Sequence, residues 1–393
     1  MNKLLLHTGV QEYIKNNLNT DIVSVLLKRS PFEGISSKEL AQQIEAKKKC
    51  ENKLVTWYSN PQIYYPNKLN IEQTSSQVTA KYKSQLVDGK SLLDITGGFG
   101  VDSYFFAQKI ETVYHCEIDK NLSEIAAYNF RILDVKNVTT IAQNGVDFLK
   151  NSKHNFDWVF IDPSRRSEAK GKVFFLTDCL PNVPEHLDEI FKKTNKVCIK
   201  TSPLLDFSIG IKELQFVKEI HVIAVSNEVK ELLWVLEKNY SGETSIKTIN
   251  LKKSKNEYFN FRLDKEKATI SNYAQPSIFL YEPNAAILKS GAFKIIGNYF
   301  GLKKLHEHTH LYTSSELVDF PGRSFKIIQL IPFHKKTIRK LGIAKANITI
   351  RNFPESVAEI RKRFDIKEGG EVYLFFTKNN DGEKMLIRCS KTN

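Results

Sequence analysis

The run Leu92-Leu93-Asp94-Ile95-Thr96-Gly97-Gly98-Phe99-Gly100-Val101-Asp102 limits the possible folds more than any other stretch of this chain. An apolar strand ends on an acid, a glycine-rich turn follows, and a helix opens at Val101. Backbone without Cβ atoms approaches a charged ligand closely at the edge of a parallel sheet. The pattern repeats downstream. Strands are expected over 91–95, 112–117, 138–142, 158–161, 197–200 and 220–225, with helices over 101–109, 122–133 and 184–193. Strands separated by helices of this length imply βαβ units and a mainly parallel, doubly wound α/β sheet.

At 393 residues the chain is long enough for about two to four domains, and 41% hydrophobic residues supply their cores. Residues 1–88 read as a helical domain, with helices expected over 11–18, 37–49 and 72–86. The sheet occupies 89–250. Beyond it, 276–320 reads as a small α+β, ferredoxin-like domain, with a strand at 277–281 and a helix at 284–290. The last domain, 321–393, has strands expected at 325–331, 346–351, 371–377 and 384–389 around a helix at 354–364. No strand or helix is assigned over 226–275.

The formal net charge is +14, and from Pro321 onward 16 Lys and Arg face 7 Asp and Glu. A basic end suits a polyanion, nucleic acid first among them; a solvated lysine-rich surface is the plain alternative. Cys50, Cys116, Cys179, Cys198 and Cys389 are scattered without a CxxC pair, so neither a disulfide framework nor a zinc site is expected. His306, His308 and His310 alternate, but no carboxylate or cysteine accompanies them at ligand spacing, and no metal is assigned. No segment approaches the roughly 18 uninterrupted apolar residues of a membrane span, and a cytoplasmic protein is expected.

Asp94, Thr96, Gly97, Gly98 and Gly100 form the first half of a nucleoside site: an acid for an amino group and a turn open to close approach. Seventeen residues after Gly100, Glu117 ends the second strand, where a carboxylate accepts both ribose hydroxyls. A dinucleotide fold uses the same acid, but Thr-Gly-Gly-Phe-Gly departs from G-x-G-x-x-G, and the favoured ligand is S-adenosylmethionine. After the third strand, Asn144 or Asp147 is placed to accept from the adenine amino group, Asn144 at the commoner position. Asp162-Pro163 follows the fourth strand. Methyl transfer needs alignment more than acid–base help, and the Asp162 carboxylate with the Pro163 carbonyl offers two acceptors for an exocyclic amine. Ser164, Arg165 and Arg166 then stand at the mouth as substrate-binding residues, the guanidinium groups suited to phosphates or a base. Asp-Pro as a simple strand cap, and the two arginines as surface loop, are the bland readings. Lys200-Thr201-Ser202-Pro203-Leu204-Leu205-Asp206, ending the fifth strand, is a further candidate for the cleft lining, with plain helix entry as the alternative.

These residues resemble the class I methyltransferases that carry a THUMP-like carboxy-terminal domain. Lys53-Leu54-Val55-Thr56-Trp57, Ser75-Ser76-Gln77-Val78-Thr79-Ala80-Lys81-Tyr82-Lys83, the glycine turn, Asp162-Pro163-Ser164-Arg165-Arg166 and Asn347-Ile348-Thr349-Ile350-Arg351-Asn352-Phe353-Pro354 carry the likeness. The catalytic part is also similar to small-subunit ribosomal RNA guanine-N2 methyltransferases, and more distantly to cap trimethylguanosine synthases, where a helix before the glycine turn covers the cofactor. The resemblance implies a Rossmann-like sheet, methylation of a guanine N2 in ribosomal or transfer RNA, and an RNA-docking tail. Amino-methylating relatives place a second proline and an aromatic residue where Ser164 and Arg165 stand here; Tyr82 or Trp57 is the candidate for the missing ring. Protein or small-molecule methylation, and RNA binding without catalysis, are the alternative functions.

Overall fold

The computed structural model describes residues 1–165 and 175–392, and of Arg165 the main chain only. The chain divides into two compact units, Met1–Lys218 with Leu233–Ser241 and Glu219–Leu232 with Gly242–Asn393.

In the first unit, α1 (Thr8–Asn16), α2 (Ile22–Leu27), α3 (Ser37–Lys53), α4 (Val55–Ser59), α5 (Lys68–Gln73) and α6 (Gln77–Ser84) precede the first strand. Several starts are set by side chains that accept from early helical N–H groups: Asp21, Ser36, Asn67 and Ser76. Ser36 and Glu39 complete a reciprocal capping box. The single helix expected over 72–86 is two. Thr74 and Ser76 are extended, and Ser76 Oγ accepts from the Thr79 N–H, so helix restarts there instead of continuing. Helices α2 and α4 are too short for their apolar spacing to show in the sequence. Leu40, Ile44 and Trp57 of the helices share one hydrophobic core with Phe99, Val101, Phe105 and Ile125, so the amino-terminal helices pack directly on the glycine-turn connection.

The sheet of this unit contains β1 (Ser91–Asp94), β2 (Thr112–Cys116), β3 (Val138–Ile141), β4 (Trp158–Ile161) and β7 (Lys196–Thr201). Its order is β7-β4-β1-β2-β3, every neighbouring pair parallel. Helices α7 (Val101–Phe106), α8 (Lys120–Ile132), α9 (Gly145–Asn151), α10 (Val183–Ile190) and α11 (Phe207–Glu213) lie between or after them. Chain order reverses between β1 and β4. A crevice outside the carboxyl ends of the strands at such a reversal is where doubly wound sheets bind ligands. Just past β4, β5 (Ser164–Arg165) pairs antiparallel with β6 (Cys179–Leu180).

Strands β8 (Val217–Val225) and β9 (Glu228–Glu237) carry the chain across the boundary between units. In the second unit β10 (Ser245–Leu251) runs parallel to β8 and antiparallel to β11 (Glu257–Arg262). Strands β9, β10 and β11 fill a stretch where no regular structure was expected. There follow α12 (Leu263–Ala268), β12 (Phe279–Pro283), α13 (Ala285–Ser290), α14 (Ile295–Tyr299), β13 (Lys303–Lys304), β14 (Tyr312–Ser314), β15 (Gly322–Pro332), α15 (Lys335–Lys340), β16 (Lys345–Ile350), α16 (Val357–Phe364), β17 (Lys367–Lys378) and β18 (Lys384–Lys391). Strands β12 to β18 form one seven-stranded sheet in the order β13-β14-β12-β15-β18-β17-β16. Strand β12 joins β15 from Phe279↔Lys326 to Pro283↔Gly322, and a Cβ on Gly322 would lie 2.2 Å from the Glu282 carbonyl oxygen. Buried Glu282 receives both Arg323 and Arg351, at 2.7 Å from Arg323 Nε and from Arg351 Nη2. That pairing is the condition for burying a carboxylate. Among the described residues, no helix is long and apolar enough to cross a membrane.

Candidate functional site

The glycine turn follows β1 and the Asp162 loop follows β4, so both stand at the reversal of the sheet. Each glycine of the turn has its own reason. A Cβ on Gly97 would fall 2.2 Å from the His115 ring, and on Gly100, held at φ +86°, 2.5 Å from Phe130 Cζ. These two serve packing. Gly98 has φ +57°, yet open space where a Cβ would point, its nearest neighbour being the Thr96 carbonyl at 3.9 Å. Of the three, Gly98 is the one that leaves room for a ligand.

Asp94 is turned inward. It is 1% exposed; Oδ1 accepts from the Thr96 N–H at 3.1 Å and Oδ2 from Ser103 Oγ at 2.7 Å, while Ser103 Oγ also lies 3.0 Å from His115 Nδ1. It therefore shapes the turn from beneath. Burial pushes its carboxyl up to about 7, against the bonds from Ser103 and Thr96, with Asp102 and Asp162 adding repulsion. Burial also pushes His115 down to about 4. A carboxyl raised on folding favours the folded state fully below its ordinary value of 3.8 and loses that contribution as pH rises through about 7. A shift of this size is worth on the order of 4 kcal/mol. Asp94→Asn is thus expected to gain in urea midpoint relative to the parent as pH is raised from about 4 to about 8. Parallel pH curves for the two proteins would remove this account.

Glu117, half-buried at the end of β2, accepts from the Gly98 N–H at 2.9 Å and from the Asp119 N–H at 2.8 Å. Its carboxylate lies against the one open glycine, which fits a ribose diol there. Asn144 caps α9: its Oδ1 accepts from the N–H groups of Val146 (2.9 Å) and Asp147 (3.2 Å). The carbonyl expected to receive an adenine amino group already has two donors, and what this side chain offers a ligand is its Nδ2 amide, a donor.

The Asp162 loop is held from two sides. The Asp162 N–H donates to Thr96 Oγ1 at 2.6 Å, tying the loop to the glycine turn, and Lys200 Nζ lies 2.5 Å from Asp162 Oδ2. Pro163 is buried and Ser164 exposed. The main chain of Ser164 and Arg165 enters the ribbon with β6; Arg166 lies outside the described residues. Lys53 donates to the carbonyls of Ile71 (2.7 Å) and Glu72 (2.9 Å) and is pushed down to about 8 by burial and then by Lys200. Fully buried Lys83 lies 2.8 Å from Asp102 Oδ1 and donates to Ser75 Oγ at 2.6 Å, which in turn donates to Asp102 Oδ2 at 2.7 Å. The amino-terminal motifs thus lock onto the first turn of α7. Trp57 is not the missing stacking ring: it is 1% exposed, 4.9 Å from the Tyr104 ring.

The sequence places Lys200 along the cleft without naming it as the partner of Asp162, and it assigns neither Ser103 nor His115 to the site. Lys200 carried a signal, since β4 and β7 pair Ile161↔Ile199 and the next residues are Asp162 and Lys200. Ser103 and His115 carried none. At the three histidines, His306 Nδ1 accepts from the His308 N–H and faces Asn352 Nδ2, which occupies it with protein partners. Among the described residues, no three His, Cys, Asp or Glu side chains are grouped to hold a metal.

The crystal structure of a putative methyltransferase from Porphyromonas gingivalis W83 is 31% identical to this chain, covering all of it and 99% of that protein, with a TM-score of 0.90. The chain belongs to the class I methyltransferases with a THUMP-like carboxy-terminal domain. Within this methyltransferase, residues 279–321 match a ferredoxin-like domain and residues 322–391 a domain described as THUMP domain-like. An uncharacterized RNA methyltransferase of Mycoplasma mobile is 29% identical over 177 residues, 42% of this chain and 48% of its own length. The chain thus spans about half the length of the curated relative it matches. The open Gly98 turn with Glu117 beside it suits an adenosyl group.

Proposed function

We propose that this protein transfers a methyl group from S-adenosylmethionine to an exocyclic guanine amine, N2, in ribosomal or transfer RNA. The observation that carries this reading is an acceptor pair, the Asp162 carboxylate and the Pro163 carbonyl, at the sheet's reversal beside the cofactor turn. The bound cofactor supplies a methyl carbon activated by a sulfonium. Asp94 and Ser103 shape the turn, and Glu117 with Gly98 seats the adenosyl end. Asn144 offers its amide at the adenine side. Asp162 and Pro163 would accept hydrogen bonds from the two amine N–H groups, which directs the nitrogen lone pair along one line; as the N–C bond forms and the sulfonium C–S bond breaks, the surplus N–H proton would leave through the Asp162 carboxylate to solvent. Ser164, Arg165 and Arg166, next in the sequence, are the proposed substrate-binding residues, the guanidinium groups suited to phosphates or a base. The basic carboxy-terminal domain would hold structured RNA, and a cytoplasmic site of action fits such a substrate.

RNA as substrate is supported by the likeness to the RNA methyltransferase of Mycoplasma mobile and by the THUMP-like match. Nucleoside analysis of RNA from cells with and without the gene is the test. One methylated guanosine should disappear from ribosomal or transfer RNA in the deletion strain. Identical profiles, together with label from the cofactor entering protein extract instead, would overturn the reading.

A further inference from the structure

We propose that Lys200 is a positioning residue for methyl transfer, holding one oxygen of the Asp162 carboxylate so that the other alone meets the acceptor amine; this rests on reading Asp162 as that amine's acceptor. The placement begins with register. Strands β4 and β7 are parallel neighbours paired Ile161↔Ile199, and in-register residues of parallel strands leave the sheet on the same face. Asp162 and Lys200, one step beyond, therefore emerge side by side at the carboxyl ends. Their side chains meet, Nζ to Oδ2 at 2.5 Å, with 14% and 27% of their surfaces exposed.

The main chain of Asp162 is held independently by Thr96 Oγ1 at 2.6 Å. With backbone and one oxygen both fixed, the carboxylate keeps one rotamer, and Oδ1 is left as the acceptor. A fold has no need of this arrangement. Apolar residues of similar volume are commonly as stable as a mostly buried ion pair. Here a second ammonium, Lys53, stands near enough to be depressed by Lys200, with its own hydrogens given to the carbonyls of Ile71 and Glu72. One lysine held on one oxygen of that carboxylate, at the carboxyl end of the sheet and with a second ammonium beside it, fits the alignment of that carboxylate better than folding economy.

The test compares the full-length parent with Lys200→Met, Lys200→Arg and Asp162→Asn. Labelled S-adenosylmethionine is the donor, and total RNA from cells lacking the gene the acceptor. Lys200→Met should lower kcat by tens of fold or more, leaving KM for RNA and the calorimetric Kd for S-adenosylmethionine within about two-fold. Lys200→Arg should recover much of the loss. A crystal structure of Lys200→Met without cofactor should show the Asp162 carboxylate in more than one rotamer. An unchanged kcat in Lys200→Met, while Asp162→Asn is inactive, overturns the inference and leaves the reading of Asp162 standing. Turnover retained in Asp162→Asn overturns that reading itself. If Lys200→Met fails to fold, Lys200→Arg decides: near-parental kcat supports positioning, and a variant that also fails to fold assigns Lys200 to the fold alone.

Discussion

Replacing Asp162 by Asn should lower methyl transfer about 10²- to 10³-fold in kcat, the scale seen when one preorganised polar partner is removed from a reacting centre. The amide keeps the size of the side chain, and the Asp162 N–H bond to Thr96 Oγ1 does not involve it. The glycine turn is therefore undisturbed, and the affinity for S-adenosylmethionine should stay within about two-fold of the parent. The amide nitrogen, if it faces the amine, presents a donor to a donor and turns the acceptor away. The Lys200 ammonium, 14% exposed, also loses its charged partner. Single-turnover rates with labelled cofactor and calorimetric titration separate the two effects. A variant that turns over at the parental rate would remove Asp162 from the reaction.

Replacing Lys83 by Ala should cost about 3–5 kcal/mol of stability, because a buried carboxylate is left without its cation. The Asp102 side chain is 10% exposed and would keep the Ser75 hydroxyl as its polar contact. The Lys83 ammonium also lies over the Phe160 ring of β4, 5.7 Å from its centre. Urea denaturation reads the loss directly. The double change Lys83→Met with Asp102→Leu should regain most of it, since replacing both charges removes the unpaired one. Because Asp102 sits in the first turn of α7, directly after the glycine turn, the single variant should also weaken cofactor binding. A loss under about 1 kcal/mol would mean that the carboxylate finds water or another partner when Lys83 is gone.

Much of the first unit was legible because its signals are local. Apolar strands alternating with amphipathic helices predicted β1 to β4, β7, α7, α8 and α10 with ends displaced by a few residues. Ser36 and Glu39 announced α3 by a capping box. What escaped notice followed from competing local meanings. Asn144 reads as an adenine contact, and the same residue is the cap of α9, with Asp147 in that helix's first turn. Strand β11 carries a clean alternation, Phe259 and Phe261 buried between exposed neighbours, but six residues of it lie outside the βαβ rhythm used upstream. Strand β9 is buried over its second half, where a continuous apolar run does not distinguish strand from helix.

By itself the sequence determined which chemistry is present: an acid, a glycine turn, a second acid and an Asp-Pro at successive strand ends, spaced as a doubly wound sheet spaces them. Only the tertiary structure decided how those groups divide the work. Asp94 faces inward because Thr96 and Ser103 satisfy it there, Gly97 and Gly100 are glycine for His115 and Phe130, and Asp162 meets Lys200 across two strands. Spacing along a chain is set by element length and is readable one residue at a time. Orientation, burial and partners between strands far apart in sequence depend on packing, which no local pattern encodes.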